Sequence, residues 1–116
     1  MSDVTPGDWL NSLSSAERKE CAISRGFEAY FPDAIAIVAR HSVRMNEKHN
    51  PGLPVHWARG KSTDHDDCIA RHSMNVAVDQ DSVDADGAYH VVCRAWRAMA
   101  AVQVWLEEKH QRGEKL

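Results

Sequence analysis

The sequence predicts an all-α fold, a helical bundle of three main helices preceded by an N-terminal arm. Three observations predict it. Apolar residues recur at helical spacing over a long C-terminal stretch, no convincing strand-like alternation or internal repeat appears, and Gly/Pro punctuation cuts the rest into helix-length pieces. At 116 residues the chain suits one hydrophobic core and is too short for two. The expected organisation is a single domain over 1–116, with the arm at 1–30 and the core at 31–109.

In the arm, Pro6-Gly7 marks a turn, and Ser14 with Glu17 three residues on forms a capping box that opens a short helix. A second helix is expected from Pro32-Asp33, where the proline suits the first turn, to about Lys48. Its inner stripe is Ile35, Val38, Ser42 and Met45, and its other face carries Arg40, Arg44 and Glu47. From His49 to Ser62 come Pro51, Gly52, Pro54 and Gly60, the marks of a long loop, and long ordered loops in small domains are usually functional. A third helix is expected with Thr63 as N-cap and Asp66 at the third position, running to about Val76. Asp79 to Gly87 reads as an acidic loop, with Asp86 as N-cap of the last helix. That helix, Ala88 to about Lys109, carries Tyr89, Val92, Cys93, Trp96, Met99, Ala100, Val102 and Leu106 on one stripe, with Gln103 the one polar interruption. Faces this short often need a partner, which predicts a homo-oligomer, a dimer or tetramer.

Composition removes several function classes. A formal charge of −3 gives no footprint for nucleic acid, which would need a local basic patch. Cys21, Cys68 and Cys93 are odd in number and none lies two or three positions from another. That argues against a disulfide framework or zinc knuckle and for free thiols in a reducing cytoplasm. No export signal and no apolar stretch of membrane-spanning length is present, so no membrane partner is expected. Phosphate-loop, dinucleotide and nucleophile-elbow fingerprints are also missing.

The chemically capable side chains concentrate between Asn46 and Asn75. The loop carries Lys48, His49, Trp57, Arg59 and Lys61; Lys48, Arg59 and Lys61 would hold phosphate oxygens and Trp57 offer a base an aromatic face, although a charged surface loop anchored by Trp57 uses the same residues. Asp64, Asp67 and Arg71 follow at three- and four-residue steps, so they share a helix face, with His72 beside Arg71. Two carboxylates one turn apart suit Mg²⁺ or Mn²⁺, and equally suit a solvated first turn that favours acids by the helix dipole. Ser82, Asp84, Asp86 and Gly87 mimic part of a calcium loop, but the twelfth position, which needs a bidentate Glu, is Cys93. His90 is expected one turn into the last helix, facing the same cavity as His72. His65-Asp66 is a literal His-Asp dipeptide of the kind used by metal phosphohydrolases.

The order KHNPG (Lys48–Gly52), HWARGKS (His56–Ser62), DHxDxxxRH (Asp64–His72), DxDGxxH (Asp84–His90) and AWRA (Ala95–Ala98) resembles the short phage and bacterial dATP/dGTP diphosphohydrolase family. This is a MazG-like group of all-α nucleotide pyrophosphohydrolases, and the resemblance covers about Phe31 to Glu107. It implies hydrolysis of a purine (deoxy)nucleoside triphosphate between its α and β phosphates with Mg²⁺ or Mn²⁺, in control of nucleotide pools or phage modified-base metabolism. The setting would be the cytoplasm, the host's if the chain is phage-encoded. Asp64 and Asp67 would hold metal, with Asp86, Glu47 and Asp33 as further ligands. Lys48, Lys61 and Arg71 would hold the substrate's phosphates, His49 would also bind substrate, Trp57 would contact the base, and His72 and His90 would orient water or phosphate. The chain departs from the broader superfamily between Phe31 and Glu107 in having neither its E-x-x-E nor its E-x-x-D pair. Two other readings stay open: an HD-like triphosphohydrolase, which releases tripolyphosphate, and a nucleotide-binding or host-interaction protein without catalysis.

Overall fold

The computed structural model describes residues 5–116. Among these residues there are five α-helices: α1 (Asp8–Ser12), α2 (Ser15–Glu20), α3 (Pro32–His49), α4 (His65–Val78) and α5 (His90–Gln111). A π-turn at Ser24–Glu28 and a 3-10 turn at Arg59–Lys61 complete the helical elements. Among the described residues the only β-type pairing is an isolated antiparallel bridge between Val83 and Tyr89. No helix there is long and apolar enough to cross a membrane.

Contacts divide the chain into two compact units, one of Met1–Pro32 with Val102–Leu116 and one of Asp33–Ala101. In the first, the capping box of α2 forms as the sequence predicts. Ser14 Oγ accepts from Glu17 N at 3.2 Å and Glu17 Oε1 accepts from Ser14 N at 2.9 Å. Neither α1, α2 nor the π-turn buries a residue. Phe27 and Phe31 meet edge to face at 5.5 Å while both remain exposed.

The second unit holds the interior. Its buried apolar residues are Cys68, Val76, Val92, Cys93 and Ala100, and beside them Asn46, His65, His72 and His90 are just as buried. An interior with that share of polar side chains is unusual, because each must find a partner or be stranded away from water. Helical phase explains it. On α4 the buried positions His65, Cys68, His72 and Val76 recur at steps of three and four, the spacing of one helix face. The face turned inward is therefore imidazole-rich, and the carboxylates Asp64, Asp66 and Asp67 stay exposed.

Two helix starts differ from expectation. Thr63 does not cap α4: the N-cap is Asp64, with no side-chain capping bond, because its carboxylate is drawn back to Ser62 Oγ at 2.7 Å. Asp86 does not cap α5 either. Asp84 N donates to Ala88 O and His90 N to Ser82 O, so Ala88 and Tyr89 are held in the bridge and the helix begins at His90. The loop before it is wound around one side chain, since Asp84 Oδ1 accepts from Asp86 N at 2.8 Å and Ala88 N at 3.0 Å. Gly87, at φ +80°, supplies the left-handed residue which that winding requires. The calcium-loop likeness thus ends with Asp84 spending one oxygen on its own backbone.

Candidate functional site

A cavity of about 660 Å³ opens within the second unit, inside the size range of small-molecule sites. α3 supplies His41, Asn46 and His49, the long loop Trp57, Lys61 and Ser62, α4 His65, Arg71 and His72, the acidic loop Asp84 and Asp86, and α5 Cys93, Trp96 and Arg97. The loop reaches this place because its ends are tied down. Asn46 Nδ2 donates to Leu53 O at 2.8 Å, and Arg97 donates to Ser62 Oγ at 2.8 Å and to His65 Nδ1 at 3.2 Å. The second of these bonds requires His65 Nδ1 to be unprotonated.

One end of the cavity is aromatic. Trp57 and Trp96 meet edge to face at 5.9 Å, and Trp96 Nε1 donates to Ser42 Oγ at 2.8 Å. The Arg59 guanidinium lies 4.2 Å over the Trp57 ring, a cation–π contact that occupies one of its two faces. Lys61 and Arg71 also line the cavity, and neither has a carboxylate partner among the described residues. Such cations attract an anionic ligand.

Behind this surface lies a buried histidine pair. His72 Nδ1 and His90 Nδ1 are 2.7 Å apart with ring centroids at 5.0 Å. One ring must donate and the other accept, so the pair keeps its bond with either ring neutral and loses it when both are imidazolium. Burial, and after it the charge of Arg71, hold the His72 imidazole below its ordinary range. Burial does the same for His41, partly offset by Asp84. His72 lines the cavity and His90 does not, so His90 reaches the cavity only through the ring of its neighbour. Cys93 lies near Asp84, Sγ to Oδ2 at 3.8 Å. Burial first and the Asp84 charge second push its thiol up to about 11, which leaves it protonated and a poor nucleophile at neutral pH.

Of the residues expected at the site, the cavity gathers His49, Trp57, Lys61, Arg71, His72 and Asp86. Lys48 stands at its margin, with Nζ 3.0 Å from Asp86 Oδ1, while His49 Nε2 is 3.6 Å from Asp86 Oδ2. The Lys48 bond is the main reason that the Asp86 carboxyl sits below the usual range. Lys48 and Asp86 also line a smaller cavity of about 190 Å³ on the flank of α3 that carries Arg40 and Arg44. Asp33, Glu47, Asp64 and Asp67 line neither cavity. Asp64 instead ends the chain Arg97–Ser62–Asp64, and the Ser62 hydroxyl lowers its carboxyl. His65 and Asp66 part company, the imidazole buried and the carboxylate exposed, so the dipeptide does not present a joint His-Asp pair.

Sequence reasoning missed Asn46, His65, Asp84, Trp96 and Arg97 as site residues. Trp96 and Arg97 stood in the AWRA motif, and His65 and Asp84 in quoted motifs, but their positions on the inner faces required the helix phases. Among the described residues no three His, Cys, Asp or Glu side chains stand together as a ready metal cage. No protein-family model, curated protein or solved structure matches the chain.

Proposed function

We propose that this protein hydrolyses purine (deoxy)nucleoside triphosphates to monophosphate and pyrophosphate, with Mg²⁺ or Mn²⁺. The observation that carries the reading is the convergence, in one cavity of about 660 Å³, of an aromatic end at Trp57 and Trp96 with the cations Lys61, Arg71 and Arg97. An aromatic platform beside uncompensated cations matches a ligand with a flat apolar base and a polyanionic tail.

The carboxylates within reach fit a metal that arrives on the substrate. Asp84 keeps Oδ2 free of its loop's backbone bonds, and Asp86 lines the same cavity. Mg²⁺ is ordinarily held by one or two carboxylates, with waters and substrate phosphates filling the remaining positions. When bound there it would neutralise phosphate charge and lower the pKa of a bound water. The chain's own groups do the rest. Lys61, Arg71 and Arg97 hold the phosphates, Trp57 and Trp96 exclude water from the base, and His72, fixed by His90 through Nδ1, takes or returns a proton at Nε2. Phosphoryl-type reactions depend mainly on such positioning and charge neutralisation.

The MazG-like relation and a homo-oligomeric working form belong to the same proposal, as does action in a cytoplasmic nucleotide pool. Exposed apolar side chains of the second unit, among them Val43, Leu53, Val55, Met74 and Met99, accord with burial in an assembly. The lack of a ready metal cage among the described residues favours one alternative, a nucleotide-binding protein without turnover. Incubating the protein with each dNTP and NTP in Mg²⁺ or Mn²⁺ and identifying both products decides between them. Monophosphate with pyrophosphate supports the proposal, nucleoside with tripolyphosphate replaces it with triphosphohydrolase chemistry, and bound but intact nucleotide supports the alternative.

A further inference from the structure

Asn46 carries an unmet hydrogen-bonding demand inside the cavity wall. The residue is 6 % exposed, lines the cavity, and its Oδ1 is buried with no partner among the described residues. Its orientation is not arbitrary. Nδ2 donates to the Leu53 carbonyl at 2.8 Å, and because a carbonyl only accepts, the amide is set with nitrogen toward Leu53 and oxygen away from it. A buried acceptor left empty is costly, and native interiors rarely tolerate one without a reason.

Its place in the cavity says what the acceptor is for. Ser42, one turn earlier on α3, accepts from Trp96 Nε1, and Trp96 meets Trp57 edge to face. Asn46 therefore belongs to the aromatic end, where a planar base would lie. A donor on the rim of such a base would meet Oδ1, and the exocyclic amino groups of purines are donors of this kind.

We infer that Asn46 Oδ1 accepts a hydrogen bond from the amino group of a bound purine base, so that the site selects amino-bearing purines over those without one. The inference rests on the nucleotide reading of the cavity and adds the residue that sets its base preference. The amino group is the 6-amino of adenine or the 2-amino of guanine, and hypoxanthine, which has neither, is the discriminating ligand. A site built around a polar contact rejects a ligand lacking that contact, because its own buried group is then left unpaired.

The test is equilibrium binding of dATP, dGTP and dITP to the whole protein, with Ca²⁺ replacing Mg²⁺ to slow turnover, for the native chain and for Asn46→Leu. The expected result is that dITP binds about tenfold more weakly than dATP or dGTP, and that Asn46→Leu removes this difference while retaining dITP binding. Tighter binding of dATP alone assigns the 6-amino group, and of dGTP alone the 2-amino group. Equal binding of all three to the native chain overturns the role of Asn46 and leaves the nucleotide reading standing, and a preference that survives in Asn46→Leu does the same. If none of the three binds, the nucleotide reading and this inference fall together. The native-chain comparison needs no variant, so equal binding of all three overturns the inference even if Asn46→Leu fails to fold.

Discussion

The two acidic segments of the second unit, Asp64–Asp67 at the start of α4 and Asp79–Asp86 before α5, are alike in composition and opposite in placement. The first forms part of a regular helix turn whose inward positions belong to His65 and Cys68, so its carboxylates are left outside. The second is irregular backbone, free to fold over the cavity, and it brings Asp84 and Asp86 to the wall. A carboxylate on a helix goes where the apolar phase of that helix allows. A carboxylate in a loop goes where its own hydrogen bonds put it, and Asp84 both shapes its loop and charges the site.

The sharpest way to break this comparison is Asp84→Ala against Asp64→Ala and Asp67→Ala. Loss of Asp84 is expected to lower nucleotide turnover on the order of 100-fold, and loss of the acceptor for two backbone amides to cost about 2 kcal/mol of stability in urea unfolding. Equal losses in the α4 variants would reverse the assignment of the two segments.

Next in size is the reactivity of Cys93, which reports its burial first and the Asp84 charge second. With its thiol raised from 9.0 to about 11, the thiolate fraction near pH 8 falls about 100-fold. Alkylation by iodoacetamide should be correspondingly slow in the folded protein and faster in Asp84→Asn. A rapid reaction at Cys93 in the native chain would show that the thiol is not buried, and an unchanged rate in Asp84→Asn that the carboxylate adds nothing to it.

A smaller effect is expected from acid. His72 and His41 both titrate below their ordinary 6.5 when folded. As pH falls through 6.5 the unfolded chain takes up protons that the folded chain refuses, so stability declines from there down through the folded values and levels off below them. Urea midpoints measured from pH 7.5 to 5 should fall, and His72→Gln should flatten the decline. A profile flat over that window would show that these imidazoles are not held neutral by burial.

The smallest effect belongs to Asp64→Ala and Asp67→Ala themselves. Turnover is expected to stay within about twofold and the urea midpoint to move little, as for most exposed positions. Asp64→Ala should still disturb Ser62, which would be detected as a local change around the Arg97 hydrogen bonds by NMR.

Much of the fold was legible from local rules. The Ser14–Glu17 box, Pro32 at the head of α3 and the Gly/Pro loop after His49 rest on chemistry within a few residues. The site was legible as a set of residue types, and Trp57, Lys61, Arg71, His72 and Asp86 do line one cavity. Asn46, Asp84 and Arg97 were not, because an unfilled acceptor, a loop-winding carboxylate and a guanidinium bridging Ser62 to His65 exist only through contacts distant in sequence.

The sequence by itself determined the helices, their approximate limits, and the loop between α3 and α4, since propensity, capping and punctuation act over one or two turns. Only the tertiary structure decided which face of each helix was inside. For α4 the choice fell on the histidine face, because Arg97 caps His65 and His90 bonds to His72, and paired imidazoles are cheaper to bury than carboxylates without partners.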